Sequence, residues 1–204
     1  MPRTGFPVAA LALALTLVVS GGAWAQEKIG QVTALTGPAN ILRDGELQAV
    51  RLGTAIHARD RLRTLQGAKL RIAFVDGTRL ILGARSQIDI ARYAHRQERQ
   101  GILELLQGIV RVLLGGTEDW QRFDVETRTV IASARSTQWV VDLTSKGTAV
   151  FVVEGLVAVR GGEREVMLDA GLGIDVAPDT GPTTPKRWGA ARVDDVLART
   201  TIRR

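Results

Sequence analysis

Leu70-Arg71-Ile72-Ala73-Phe74-Val75-Asp76-Gly77-Thr78-Arg79-Leu80-Ile81-Leu82 contains two apolar runs hinged on an Asp-Gly pair. Leu70, Ile72 and Phe74 alternate with smaller or charged residues, which on an extended chain places them on one face. Asp-Gly between such runs predicts a hairpin, because tight turns need a residue that accepts positive φ. The same grammar extends in both directions. Alternation recurs in Ile88-Asp-Ile90, Val110-Arg-Val112, Phe123-Asp-Val125 and Val157-Ala-Val159. Breaks fall at Gly37-Pro38, Asp44-Gly45, Gly101, Gly108, Gly155, Gly161-Gly162 and Gly171. Many short strands with turn residues between them predict an all-β domain: a layered roll, solenoid-like stack or sandwich of short antiparallel strands. No helical periodicity of useful length competes between Ile29 and Val176.

An internal echo supports a stack. Val150 to Val159 matches Leu103 to Val112, and Arg71 to Leu80 resembles both. Each is read as a strand, a polar-Gly turn and a second strand, a unit whose repetition lets neighbouring layers bury one another.

The amino terminus has a different character. Arg3 precedes an apolar stretch from Val8 to Val19, followed by Ser20-Gly21-Gly22-Ala23-Trp24-Ala25. A cationic start, a short apolar core and small residues at the end form a secretory signal pattern, with cleavage expected between Ala25 and Gln26. The apolar stretch is shorter than the roughly 20 residues a membrane span requires. No later stretch is longer, so no transmembrane segment is expected after cleavage. Gly181-Pro182-Thr-Thr-Pro185 reads as a linker. The expected division is a signal peptide at 1–25, a β domain at 26–180, and a linker with a basic tail and short helix at 181–204.

The 204 residues include no cysteine and two histidines, His57 and His95. Disulfide scaffolds, cysteine nucleophiles, thiolate metal centres and a lipid-bearing cysteine are thereby excluded. Calcium loops of alternating Asp and Asn are absent. No metal and no cofactor are expected. The formal charge of +6 invites a nucleic-acid reading. Its distribution argues against one: Lys186, Arg187, Arg192, Arg199, Arg203 and Arg204 face only Asp194 and Asp195, and the body from Gln26 to Pro185 is nearly neutral. Nucleic-acid binding needs a concentrated phosphate-neutralising surface, which such a body lacks.

Catalysis finds little support. Ser86, Ser133, Ser136 or Ser145 could be combined with His57 or His95, but no nucleophile elbow accompanies any of them. His95 lies in a polar stretch that reads as an exposed loop. The pairs Glu118-Asp119 and Asp194-Asp195 point apart on a strand and read as solvated. No catalytic residue is assigned. Glycan binding, the alternative for an exported β domain, favours exposed flat aromatics. Trp139 alternates with Val141 and Leu143 and reads as core, whereas Trp120 beside Gly115-Gly116 is expected at a turn, open to solvent.

Beyond the linker, Trp188, Ala191, Val196, Leu197 and Ile202 could share a helical face. That helix would either dock on its own domain or meet a partner. Trp188, Arg187 and Arg192 are the candidate partner contacts, since aromatic and arginine side chains dominate binding hot spots.

Taken together, Gly30-Gln-Val32, Asp60-Arg-Leu62-Arg-Thr64, Gly67-Ala-Lys-Leu70, Phe74-Val-Asp76-Gly77-Thr78, Leu103-Glu-Leu105, Gly108-Ile-Val110-Arg-Val112, Phe123-Asp-Val125-Glu-Thr127, Val152-Val-Glu154-Gly155 and Leu168-Asp-Ala170-Gly171 resemble the FecR domain family. The likeness runs from about Ile29 to Val176. It implies a periplasmic, non-enzymatic sensing, binding or scaffolding module of the cell envelope with a protein partner. Larger relatives add an anti-sigma segment and a membrane helix; this chain resembles only their periplasmic part. Three positions depart from the family pattern: Arg59 precedes Asp60 where glycine is common, Ser136 stands between Arg135 and Thr137 where glycine is usual, and Leu172 replaces a glutamine. A relaxed turn is expected at Ser136, since serine accepts positive φ poorly.

Overall fold

The computed structural model describes residues 27–94, 98–115 and 120–202. The segment read as a signal peptide with its expected cleavage site, His95 and the Glu118-Asp119 pair lie outside the described residues. In chain order the first strands are β1 (Lys28–Thr36), β2 (Ala39–Arg43), β3 (Glu46–Ala49), β4 (Ala55–His57), β5 (Arg61–Thr64) and β6 (Lys69–Phe74). Next come β7 (Arg79–Leu82), β8 (Gln87–Ala94), β9 (Gln100–Leu113), β10 (Arg122–Glu126), β11 (Ile131–Ala134) and β12 (Gln138–Thr144). The chain continues through β13 (Gly147–Glu154), β14 (Leu156–Gly161), β15 (Arg164–Asp169), β16 (Leu172–Val176) and β17 (Lys186–Arg187), and ends in helix α1 (Ala190–Arg199).

The fold is all-β with one short C-terminal helix, in the layered form expected. The strands make one continuous sheet that folds over on itself into two layers. The first layer has the order β4-β1-β6-β7-β9-β12-β13-β16-β17. The second has the order β3-β2-β5-β8-β9-β10-β11-β14-β15. Long strand β9 belongs to both: its first half pairs with β8 and β10, its second with β7 and β12. Every pairing is antiparallel except β9 with β10. Alternation then fills the space between the layers. Val32, Leu70, Ile72, Leu80, Val110 and Val141 from one layer pack with Ile41, Leu62, Ile88, Leu103 and Val125 from the other in a single core.

The repeated segments are not three hairpins. Arg71 to Leu80 is one, with β6 and β7 paired in the same layer around Asp76-Gly77. At the other two the glycine is a corner. β9 runs through Gly108 from the second layer to the first, and Gly155 separates β13 in the first layer from β14 in the second. Both glycines have positive φ, 83° and 86°. A side chain at Gly108 would place Cβ 2.4 Å from Ser86 Oγ. Left-handed backbone redirects the chain sharply, so polar-Gly between apolar runs encodes a change of layer as readily as a reversal.

Small hydroxyl side chains secure the corner beside Gly108. Thr64 Oγ1 donates to Gly83 O at 2.6 Å and accepts from Ser86 N at 2.9 Å; Ser86 Oγ donates to Ile109 O and accepts from Ile109 N. Main-chain groups that the layer change strips of ladder partners are thus satisfied locally. Ser136 has no positive φ, in keeping with the relaxed turn expected there.

Candidate functional site

The serines considered for catalysis are engaged with other groups or exposed. Ser86 is part of the corner just described, Ser133 Oγ donates to Asp124 Oδ1 at 2.6 Å, and Ser136 and Ser145 sit in exposed turns. None of them hydrogen-bonds to His57, which is half-buried on β4 with Nδ1 enclosed and unpartnered among the described residues. Asp194 and Asp195 are exposed on α1.

Trp120 departs from expectation. It is 2% exposed, not open at a turn. Its Nε1 donates to Asp76 Oδ2 at 3.1 Å and to Thr78 Oγ1 at 3.3 Å, and its ring meets Tyr93 and Phe123 edge-on at 5.1 and 5.0 Å. Tyr93 stacks on Phe74 at 4.4 Å, and its hydroxyl donates to Asp76 Oδ1 at 2.5 Å. A buried indole or phenol needs an acceptor, and the Asp76 carboxylate at the hairpin turn serves both. Desolvation first, then the Asp76 charge, pushes the Tyr93 phenol far above its ordinary range. Trp139 is core, as read from its alternation. Among the described residues no aromatic ring lies open as a glycan platform.

The candidate partner contacts beyond the linker pack against the first layer. β17 pairs with β16, bringing Arg187 opposite Leu172 and Lys186 opposite Gly173. The Trp188 ring stacks on Phe151 at 5.0 Å, lying so close over Gly173 that a Cβ there would be 2.4 Å from the indole. Arg192 covers the indole, its guanidinium carbon 3.4 Å from the ring centroid, and forks onto Asp175 at 2.8 and 2.5 Å. Val196 is buried against Ile109, Val140 and Phe151, with Val193 and Leu197 beside it. Arg199 forks onto Asp142 at 2.6 and 3.0 Å. Lys69 Nζ donates to the carbonyls of Ala198 and Thr201, a cation at the helix C-terminus. Of the expected helical face, Ala191 is exposed and Ile202 lies past the helix. Arg187 is exposed and meets no carboxylate among the described residues.

A cleft on the outer face of the second layer is the feature best suited to receive something. It has a volume of about 690 Å³ and crosses β11, β14 and β15. Register places Ser133, Ala158 and Met167 side by side along its floor. Met167 and Leu156 are 48% and 44% exposed, large apolar side chains at outward positions of otherwise alternating strands. Arg135 and Arg160 stand at the rim. Within the lining, Arg122 pairs with Asp124 at 2.6 Å, and Asp124 also accepts from Ser133. Glu126 on β10 faces Glu104 on β9 in register. Burial, with Asp124 and Glu104 nearby, raises its carboxyl above the usual range. Leu156 and Met167 were legible in the alternation that turns Val157 and Leu168 inward. What strand periodicity lacked was which strands adjoin.

Comparison with known proteins agrees with this geometry. The family described as FecR protein matches residues 60–158, from buried Asp60 to the cleft floor at Ala158. Two crystal structures of a candidate anti-sigma factor from Parabacteroides distasonis share the fold. One is 20% identical with a TM-score of 0.57 over 67% of this chain and 63% of its own; the other is 21% identical, again 0.57, over 67% and 64%. The chain thus spans less than two thirds of the length of those proteins. No curated protein matches it. Matched segment and fold agree: residues 60–158 match the FecR domain, and the fold around them is shared with those two structures.

Proposed function

We propose that the chain acts after export as a non-catalytic, signal-sensing and binding module of the periplasm, and that a protein partner engages the cleft on the second layer. The observation that carries this reading is the pairing of exposed Leu156 and Met167 with the arginine rim of Arg135 and Arg160. Methionine and arginine are enriched at protein–protein interfaces, and arginine at their hot spots. The FecR family supports a regulatory role, in line with the anti-sigma description of the similar structures. The signal pattern supports export, and Arg187, with Trp188 and Arg192 behind it, offers a second contact on the first layer.

A photocrosslinking residue placed at Met167, and in parallel at Leu47 on β3, tests the reading in cells. It predicts a discrete adduct from position 167 that Leu156→Asp and Arg160→Glu abolish while the melting temperature holds. Equal adducts from both positions, or an adduct indifferent to those substitutions, would overturn it. Residues 1–25 retained in the isolated protein would remove the export step.

A further inference from the structure

Several arginines among the described residues are matched to carboxylates. Arg43 meets Asp60, Arg61 meets Asp89, Arg122 meets Asp124, Arg192 meets Asp175 and Arg199 meets Asp142. On the outer face of the first layer three unmatched arginines lie together. Across β6, β7 and β9 the register runs Arg71, Ile81, Arg111, and Arg79 lies two residues from Ile81 on the middle strand. The inward neighbours Leu70, Ile72, Leu80, Val110 and Val112 are core, so alternation turns all three arginines to the outer face. Arg79 is diagonal to each of the others across one strand spacing, roughly 7–8 Å between backbones, a gap long side chains close.

None of the three meets a carboxylate among the described residues. Arg71 Nε donates to Thr33 Oγ1 at 3.3 Å. The Gln138 amide, oriented to satisfy both groups, accepts from Arg111 Nε at 3.0 Å. Arg79 is exposed and Arg111 half-buried. Burial, and after it the charge of Arg79, holds the Arg111 guanidinium below its ordinary range. Neutral acceptors orient these groups while leaving their charge unbalanced.

We propose that Arg71, Arg79 and Arg111 form a binding site for a phosphate-type dianion on the outer face of the first layer. Guanidinium forks match phosphate oxygens, and a tetrahedral dianion accepts from more than one of them at once. A carboxylate brings one charge and would leave most of the cluster unbalanced. The phosphate comes either free in solution or as a monoester headgroup at a membrane surface.

Calorimetric titration of the full chain with pyrophosphate at low salt tests the site. Saturable binding is expected, weakened about tenfold or more by Arg79→Gln and by Arg71→Gln, with an unchanged melting temperature and no effect of Arg63→Gln, an exposed arginine on β5 of the second layer. Flotation with phosphatidic acid vesicles, against phosphatidylcholine, identifies the source. Capture lost in Arg79→Gln assigns the headgroup, and pyrophosphate binding without capture assigns the free anion. No saturable binding, undiminished binding by the Arg79 and Arg71 variants, equal weakening by Arg63→Gln, or tighter binding of an oligoglutamate peptide overturns the proposal.

Discussion

The guanidinium of Arg43 makes two parallel hydrogen bonds to the carboxylate of Asp60, Nε to Oδ1 and an Nη to Oδ2, each 2.7 Å long. Asp60 is fully buried, and the His57 main-chain N–H also donates to it, at 2.7 Å. The same arginine reaches the Ala55 carbonyl at 2.8 Å. The pair therefore ties β2 in the second layer to β4 in the first. Removing one partner leaves the other uncompensated in a dry site, which costs about 3–5 kcal/mol. Arg43→Met should lower stability by about that much, and Arg43→Met/Asp60→Leu by less. Denaturant melts check this; additive losses in the double variant would contradict the coupling.

Tyr93 is the chain's one tyrosine, so its ionisation can be read without overlap. Its folded phenol lies above the ordinary value, through burial first and the Asp76 charge second. The protonated form is the one the fold stabilises. That contribution is complete below the unfolded value near 10 and declines as pH rises through the higher folded value. Absorbance at alkaline pH should show no phenolate step near pH 10 in folded protein, only one that coincides with unfolding. Trp120→Phe, which keeps an aromatic ring but removes a donor to Asp76, should cost about 1–2 kcal/mol.

The docked helix should loosen in acid. Arg192 hydrogen-bonds to Asp175 and holds its carboxyl below the usual carboxylate range, with Lys186 adding to the effect. A lowered folded value means the ionised form stabilises docking. The contribution is fully present above the unfolded value of about 4 and is lost as pH falls through the lower folded one. Trp188 fluorescence and protease cleavage near Pro185 should both report release below about pH 4. Asp175→Asn should release part of the helix at neutral pH and flatten the acid response; an unaltered acid response would show that another group controls docking.

Arg59 occupies left-handed backbone with φ of 70° and is exposed. It is the position before Asp60 where family resemblance leads one to expect glycine. Left-handed conformation costs a non-glycine residue about 1–2 kcal/mol, part of which glycine returns as unfolded-chain entropy. Arg59→Gly should therefore stabilise the domain by up to about 1 kcal/mol, seen as a higher melting temperature. Arg59→Val should do the opposite, since a β-branched side chain tolerates positive φ least.

Alternation and glycine spacing made the strands legible and showed which residues of each face inward, because the period of two is a local property of extended chain. Leu70, Ile72 and Phe74 are buried and Arg71 turns outward, as the opening stretch reads. Strand adjacency is a different matter. Gly77, Gly108 and Gly155 all have positive φ, yet one turns a hairpin and two change layer. A glycine permits the bend; the core packed on either side selects its outcome. Trp120 shows the same limit: glycines and acids beside it suggest exposure, whereas Asp76 and Thr78, 44 and 42 residues away in sequence, accept its hydrogen bonds inside the core. The tail's amphipathic pattern was readable, but whether it meets a partner or its own sheet depended on Gly173 leaving room for Trp188 and on Asp175 and Asp142 standing where Arg192 and Arg199 reach. The cleft and the arginine cluster arise from register between strands distant in sequence, and register is decided when the two layers bury their faces together.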